Sequence, residues 1–249
     1  MSQVRYALLT ILLASTAIAT SGGEATREAT RSRSEPADVS ARPPDPAFPI
    51  FIPQRRGAPR TRLGGASRGP GSDGFPEVEA LVPEHVGLTL SSQPVLYWHL
   101  SEPTDQRVDF TLIDEESPRP LVEVTLKGPF PAGLQRIDTS RYGVKLRPDV
   151  GYQWFVAVVP DPQRRSSDVI AGGGIQRIRA SAELRSQLDG ADAERVPFVL
   201  AEHGIWYDAV HHLSRRITAS PDDTHLRRQR AALLSQVGLG RVAESDSQP

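Results

Sequence analysis

The sequence Leu146-Arg-Pro-Asp-Val-Gly-Tyr-Gln-Trp-Phe-Val-Ala-Val-Val159 decides the predicted fold. Its first half, with leucine, proline and glycine, predicts a tight corner, and its second half alternates as a strand does. A tyrosine that enters a strand and bonds back to upstream backbone is typical of Greek-key sandwiches, where it is called a tyrosine corner. The predicted inner face of this strand carries Tyr152, Trp154, Val156 and Val158.

The same period of two residues extends over residues 76–180, where proline and glycine mark the breaks between apolar runs. A second inner strand, Pro94-Val-Leu-Tyr-Trp-His-Leu100, carries Trp98. The pattern gives about seven or eight strands, which is the number that immunoglobulin-like sandwiches use. We therefore predict an immunoglobulin- or fibronectin-like β-sandwich over residues 76–180, in a chain that is mainly β with a C-terminal α part. The glycines of Gly172-Gly-Gly174 predict a kink in the last strand.

Helical periodicity replaces alternation at residues 181–243. Ser181 is a predicted N-cap, and Ser220 followed by Pro221 predicts the start of a later helix. Helix, glycine turn and helix resemble a tetratricopeptide unit of about 34 residues, and only about one and a half such units are present. A free-standing array needs about three units, so we expect this helical hairpin to pack on the sandwich or on a partner. Residues 244–249 are predicted to form a disordered tail.

Residues 1–23 have the organisation of a secretory signal peptide. Arg5 precedes an apolar run, and Ala17-Ile-Ala19 fits a cleavage site, which predicts a mature N-terminus near Thr20. The run is about 14 residues long, against about 20 for a membrane span. The alternative is an uncleaved N-terminal anchor. Either way the chain is predicted to be exported, to a periplasmic, cell-surface or extracellular location.

A linker rich in proline and arginine, predicted to be disordered, follows over residues 24–75. Its apolar stretch Phe48-Pro-Ile-Phe-Ile-Pro53 could dock on the folded part as an added edge strand. The arginines beyond it form a candidate arm for an anionic envelope component. The other interpretation, which we favour, is a solvated basic linker. The candidate anion-binding residues are Arg55, Arg56, Arg60, Arg62 and Arg68.

Composition and motifs exclude several function classes. The formal net charge is −1, and no aromatic residue interleaves the arginines, so nucleic acid is not a predicted partner. The sequence has no cysteine, which rules out disulfides, thiol catalysis and cysteine-ligated zinc. His203, His211 and His212 lack the spacing of a metal site, and we predict no metal, no cofactor and no catalytic residue. The three tryptophans could stack on a sugar, but we favour positions in the core.

The helix predicted at residues 205–217 is apolar on two sides, and both must be buried. One side can pack on neighbouring helices. The other begins with Trp206, which we expect to anchor a contact with the sandwich or with a second protein. Trp206, Tyr207 and Asp208 are the candidate binding residues of this helix.

Three groups of residues resemble the bacterial domain-of-unknown-function family number 928. They are the arginine- and glycine-rich stretch Arg62 to Gly69, the Ala80-Leu-Val-Pro83 and Pro94-x-x-x-Trp98 block, and the helix Ala201-Glu-x-Gly-Ile-Trp-Tyr-Asp-Ala209 with Pro221-Asp-Asp and Val237-Gly-Leu239. The members of this family are typically secreted. The resemblance implies an architecture and export, and it implies no activity.

Two functions from different classes remain open. The first is an exported, non-catalytic binding or scaffold protein of the cell envelope, with a protein partner at the helical segment or an anionic component at the arginine arm. The second is an envelope hydrolase that acts on glycan through the sandwich loops. An enzyme should gather acids or histidines from several loops at one end of the sandwich. In the sequence such residues are scattered, and we favour the binding protein.

Overall fold

The computed structural model describes residues 47–54, 62–63, 75–117 and 119–247. The predicted signal peptide and most of the predicted linker, including Arg55, Arg56, Arg60 and Arg68, lie outside the described residues. Within this part of the chain, no helix is long and apolar enough to span a membrane.

Among the described residues, eight strands form two sheets, so the fold is mainly β, as predicted. The first sheet has the strand order β1-β3-β6, and the second has the order β2-β8-β7-β4-β5. All pairs are antiparallel except β2 with β8. The strands are β1 Val78–Ala80, β2 Gly87–Thr89, β3 Val95–Leu100, β4 Arg107–Asp114, β5 Pro120–Leu126, β6 Gly133–Asp138, β7 Gly151–Val159 and β8 Val169–Arg177, and short 3-10 helices lie at Thr139–Tyr142 and Arg165–Ser167.

Strand β7 is central in the second sheet, and its predicted alternation is confirmed. Tyr152, Trp154 and Val156 are at most 1% exposed, while the residues between them are only partly buried. The predicted corner is also confirmed, because the Tyr152 hydroxyl accepts a hydrogen bond from the backbone N–H of Arg147 at 2.9 Å. This bond closes the turn into β7 with a contact that the backbone alone does not supply.

The glycines of β8 do not kink the strand, so that prediction is wrong. Residues 169–176 pair with β7 in an unbroken register. The physical reason for glycine is close approach: a Cβ on Gly173 would lie 2.7 Å from Cγ2 of Val82, closer than real Cβ contacts. The connection from β1 to β2 can therefore lie directly on the sheet.

The central strand of the three-stranded sheet, β3, is buried on both faces, because the sheet lies between the larger sheet and the helices as a middle layer. On β3, Leu96, Trp98 and Leu100 alternate with Tyr97 and His99, and all five are less than about a tenth exposed. Tyr97 faces the helices, since its hydroxyl bonds to His211. Buried residues of both sheets and of the helices belong to one hydrophobic cluster.

Five helices follow the sheets: α1 Ala182–Asp189, α2 Val196–Glu202, α3 Trp206–Ala219, α4 Thr224–Gln236 and α5 Gly240–Ser247. The predicted N-cap Ser181 is confirmed, because its hydroxyl accepts from the N–H of Leu184 at 3.1 Å. The prediction of Ser220 and Pro221 as the start of α4 is wrong. Asp223 caps that helix, since its carboxylate accepts from the second and third N–H groups. Residues 244–247, predicted as part of a disordered tail, complete α5.

Tyr152→Phe should lower the free energy of unfolding by about 1–3 kcal/mol, because it leaves the Arg147 N–H without its partner. Urea denaturation of the purified protein measures this. Tyr142→Phe is the matched control: its ring lies 5.9 Å from that of Phe110, and its hydroxyl makes no hydrogen bond to the described residues. Equal losses in the two variants would show that the corner hydrogen bond does not stabilise the fold.

Candidate functional site

The first turn of α3 joins the helices to the sheets. The indole of Trp206 is fully buried, and its Nε1 donates to the carbonyl oxygen of Leu81 at 2.8 Å. The Tyr207 hydroxyl donates to the carbonyl of Gly174 at 3.0 Å and accepts from Nε1 of Trp154 at 2.9 Å. Burial raises the pKa of Tyr207, so the hydroxyl stays protonated and keeps both bonds.

Asp208 completes this junction from the next position of the helix. Its Oδ2 accepts from the backbone N–H of Leu90 at 3.1 Å, just after β2 ends. Burial raises the pKa of Asp208, while the Thr89 hydroxyl and nearby backbone N–H groups lower it. The carboxylate therefore orders the turn between β2 and β3.

The candidate binding residues of α3 are thus internal. Trp206, Tyr207 and Asp208 contact their own chain, and a partner cannot reach the buried indole of Trp206 without opening the core. Of the candidate arginine arm, Arg62 is described. Its guanidinium donates to the carbonyl oxygens of Val82, Val237 and Gly238 at 2.8–3.3 Å, which ties the end of α4 to the β1–β2 connection.

The histidines considered as metal ligands are dispersed. His211 Nδ1 lies 2.9 Å from the Tyr97 hydroxyl, and His203 Nε2 lies 2.8 Å from Oε1 of Gln187 on α1. Within the described part of the chain, no group of three His, Cys, Asp or Glu residues could hold a metal ion. These histidines make contacts between elements.

A cleft of about 480 Å³ opens where α3 and α4 cross the outer face of the three-stranded sheet. Polar groups reach it from four elements: Tyr97 on β3, Arg136 on β6, Ser214 and Arg215 on α3, and Arg230 on α4. No acidic residue lines it. The remaining lining residues are Leu134, Gln135, Ile217, Thr218 and Ala219.

Arg230 lies buried at the bottom of this cleft. It is 5% exposed, its Nε donates to Oδ2 of Asp246 at 2.8 Å, and Nη1 donates to the Ser214 hydroxyl at 2.8 Å. Asp246 on α5 balances its charge. Arg136 and Arg215, in contrast, form no ion pair with the residues that the structure describes. The cleft therefore holds two arginines that have no ion-pair partner within the described part of the chain.

The neighbouring titratable groups respond to this charge. Burial lowers the pKa of His211, and the positive charges of His212, Arg215 and Arg136 lower it further, against an opposing effect of Asp138. The pKa of His212 is lowered by burial and by Arg215. Both effects favour the neutral imidazole.

Sequence reasoning missed this site. Arg136 lies on β6, far in the sequence from Arg215 on α3 and Arg230 on α4, and each arginine taken alone has the pattern of a solvated charge. A second cavity, of about 620 Å³, lies on the outer face of the five-stranded sheet. Of its acids, Asp109 is paired with Arg107 and Arg165 at 2.7 and 2.9 Å, so both arginines of this cavity have an ion-pair partner.

Trp206→Ala should lower the free energy of unfolding by about 3–5 kcal/mol, because it leaves a large cavity between the layers. Urea denaturation provides the measurement. Ile170→Ala is the control, since Ile170 is 42% exposed and its truncation should change stability by less than about 0.5 kcal/mol. A Trp206→Ala chain as stable as the wild type would show that the helices do not depend on this indole.

The protein should lose stability as the pH falls below 6.5. The pKa values of His99, His211 and His212 lie below their ordinary 6.5 in the folded chain, so the unfolded chain takes up protons first. Stability is complete above pH 6.5 and declines toward the lowered pKa values. Unfolding at several pH values between 8 and 5.5 tests this, and the acid-induced loss should be smaller in His211→Gln. Identical losses in both proteins would exclude His211 as a contributor.

Comparison with known proteins places the chain in a family. Among curated proteins, none matches it. A family model described as Domain of Unknown Function (DUF928) matches residues 63–247, which include both sheets, all five helices and the cationic cleft. Since the match covers most of the sequence, this chain is a member of the DUF928 family.

Proposed function

We propose that this protein is an exported, non-catalytic binding protein of the cell envelope, and that it binds an anionic group in the cleft between α3, α4 and the three-stranded sheet. The observation that carries the proposal is the pair Arg136 and Arg215, two cations without ion-pair partners among the described residues, at a cleft that no acid lines. Guanidinium groups bind carboxylate and phosphate in bidentate geometry.

We propose further that the two sheets are an immunoglobulin- or fibronectin-like sandwich. The strand orders support this, because β1-β3-β6 corresponds to strands A, B and E, and β5-β4-β7-β8 corresponds to C′, C, F and G. The tyrosine corner enters β7, the F position. The helical part is proposed to be tetratricopeptide-like, with α2 and α3 joined through Gly204, which has a φ of 70°.

Export rests on the signal-like sequence of residues 1–23. An anionic component of the envelope is a ligand class that fits both the cleft and the arginine arm. The arm, with Arg55, Arg56, Arg60 and Arg68, remains a second proposed contact for that component. A protein partner at the helical segment would have to use its outer surface, because Trp206 is buried.

A binding role is favoured over the hydrolase by the state of the acids at the ends of the strands. Asp114 and Glu116, at the end of β4, both accept from Nη2 of Arg147, at 2.8 and 2.9 Å. Because both acids are paired with the same guanidinium, this cluster stabilises the corner beside Tyr152 and is poorly suited to proton transfer. His211 does not line the cleft, and its Nδ1 is paired with the Tyr97 hydroxyl.

Arg136→Gln should weaken binding of a polyanion by about ten-fold or more, the loss expected for one charge-assisted hydrogen-bonding group. Calorimetric titration of the mature protein with pyrophosphate and with oligogalacturonate, at about 10 mM ionic strength, measures this and separates phosphate from carboxylate ligands.

Arg185→Gln is the matched control, because it removes the same charge from an exposed position on α1. Equal weakening in the two variants would show that binding depends on the net charge of the protein and not on the cleft. Absence of binding by the wild type would refute the cleft as an anion site.

A further inference from the structure

Residues 47–54 precede the family-matched region and lie on the helices. The sequence allows the apolar stretch within them to dock on the folded part as an added edge strand, and the structure shows it docked but not as a strand. Instead its backbone contacts α2: the N–H of Ile52 donates to the carbonyl oxygen of Ala201 at 3.1 Å. Residues 49–54 have no helical, strand or turn assignment, so they cross the helices as an irregular, extended peptide.

Side-chain amides of α4 bind the backbone of this peptide. Gln236 makes two bonds: Oε1 accepts from the N–H of Phe51 at 2.8 Å, and Nε2 donates to the carbonyl of Pro49 at 2.9 Å. Two turns earlier on α4, Nε2 of Gln229 donates to the carbonyl of Ala47 at 3.3 Å. Contacts of this kind hold an extended chain whatever its side chains are, because every residue offers the same groups.

Side chains of the peptide alternate between the helices and solvent. Pro49 is buried, and the ring of Phe51 meets that of Trp206 edge-on at 4.9 Å. Ile50 and Ile52 are 38% and 52% exposed. Alternate pockets of this kind give specificity in the recognition of extended peptides.

The floor of the groove is shaped for a close backbone. Gly204 has a φ of 70°, and a Cβ there would lie 2.7 Å from the carbonyl oxygen of Ile52. Glycine thus permits both the turn between α2 and α3 and the approach of the peptide. The amide of Gln229, which holds Ala47, also lies 3.0 Å from Nε2 of His225 on the same helix.

We propose that the groove over α2, α3 and α4 is a peptide-binding site for an extended apolar segment with proline and phenylalanine at alternate positions, and that residues 47–54 occupy it as an intramolecular competitor. Prolines at 49 and 53 lower the entropic cost of holding the segment extended. A tethered segment acts at a high effective concentration, so a partner peptide binds only when it displaces the chain's own. The inference does not depend on the anion cleft, because Gln236, Trp206 and Gly204 lie outside the cleft lining.

The test uses the full mature chain and a fluorescein-labelled peptide Ala-Phe-Pro-Ile-Phe-Ile-Pro-Gln, the sequence of residues 47–54. Fluorescence anisotropy should show weak binding to the wild type. Ile52→Pro removes the N–H that bonds to Ala201 while changing an exposed side chain, so it should release the resident segment and bind the peptide about ten-fold more tightly. Phe51→Ala in the chain should act in the same direction.

Adding Gln236→Ala to Ile52→Pro should abolish peptide binding, and Ile50→Ala should behave as the wild type. A labelled peptide with alanine in place of its second phenylalanine should not bind any variant. The proposal is overturned if Ile52→Pro and Phe51→Ala, each with the circular dichroism spectrum of the wild type, bind the peptide no better than the wild type does.

Discussion

The hydroxyl of Tyr207 is the interaction on which the architecture depends. It bridges the indole N–H of Trp154 and the carbonyl of Gly174, and so joins α3 to strands β7 and β8 of the larger sheet. Each partner is buried and would be costly to leave unpaired. The adjacent Trp206 bonds to Leu81 on the connection from β1. One helical turn therefore fixes the helices against both sheets.

The proposed binding surfaces follow from the way this turn directs α3. Beyond its first turn, α3 passes over the outer face of β3, where His211 meets Tyr97 and Ser214 meets Arg230. That crossing opens the cationic cleft. On the other side of the junction, Trp206 presents a ring edge to Phe51. A single fixed helix thus borders both the cleft proposed to bind an anion and the groove proposed to bind a peptide.

Local rules of sequence predicted much of the fold. The Tyr152 corner, the alternation of β7 and the Ser181 cap were all recognisable, because each rests on a few neighbouring residues. Errors arose where two local solutions compete. Ser220 and Asp223 are both good N-caps, and the structure uses Asp223. A glycine run permits either a kink or a close contact, and Val82 on a distant segment makes it the latter.

The sequence by itself determined the alternation of β7, the change from strands to helices near residue 181 and the tyrosine corner, because periods of two and 3.6 residues and short-range contacts are properties of the chain. Tertiary structure alone decided the sites. Arg136 and Arg215 become a cationic cleft only when β6 and α3 are brought together, and Asp246 neutralises Arg230 only after α5 packs on α4. Likewise, the sequence of α3 fits Trp206 both as an exposed anchor and as a core residue, and the contact with Leu81 decides for the core. Distant pairings carry no local signal, since burial and charge balance depend on what folds against each residue.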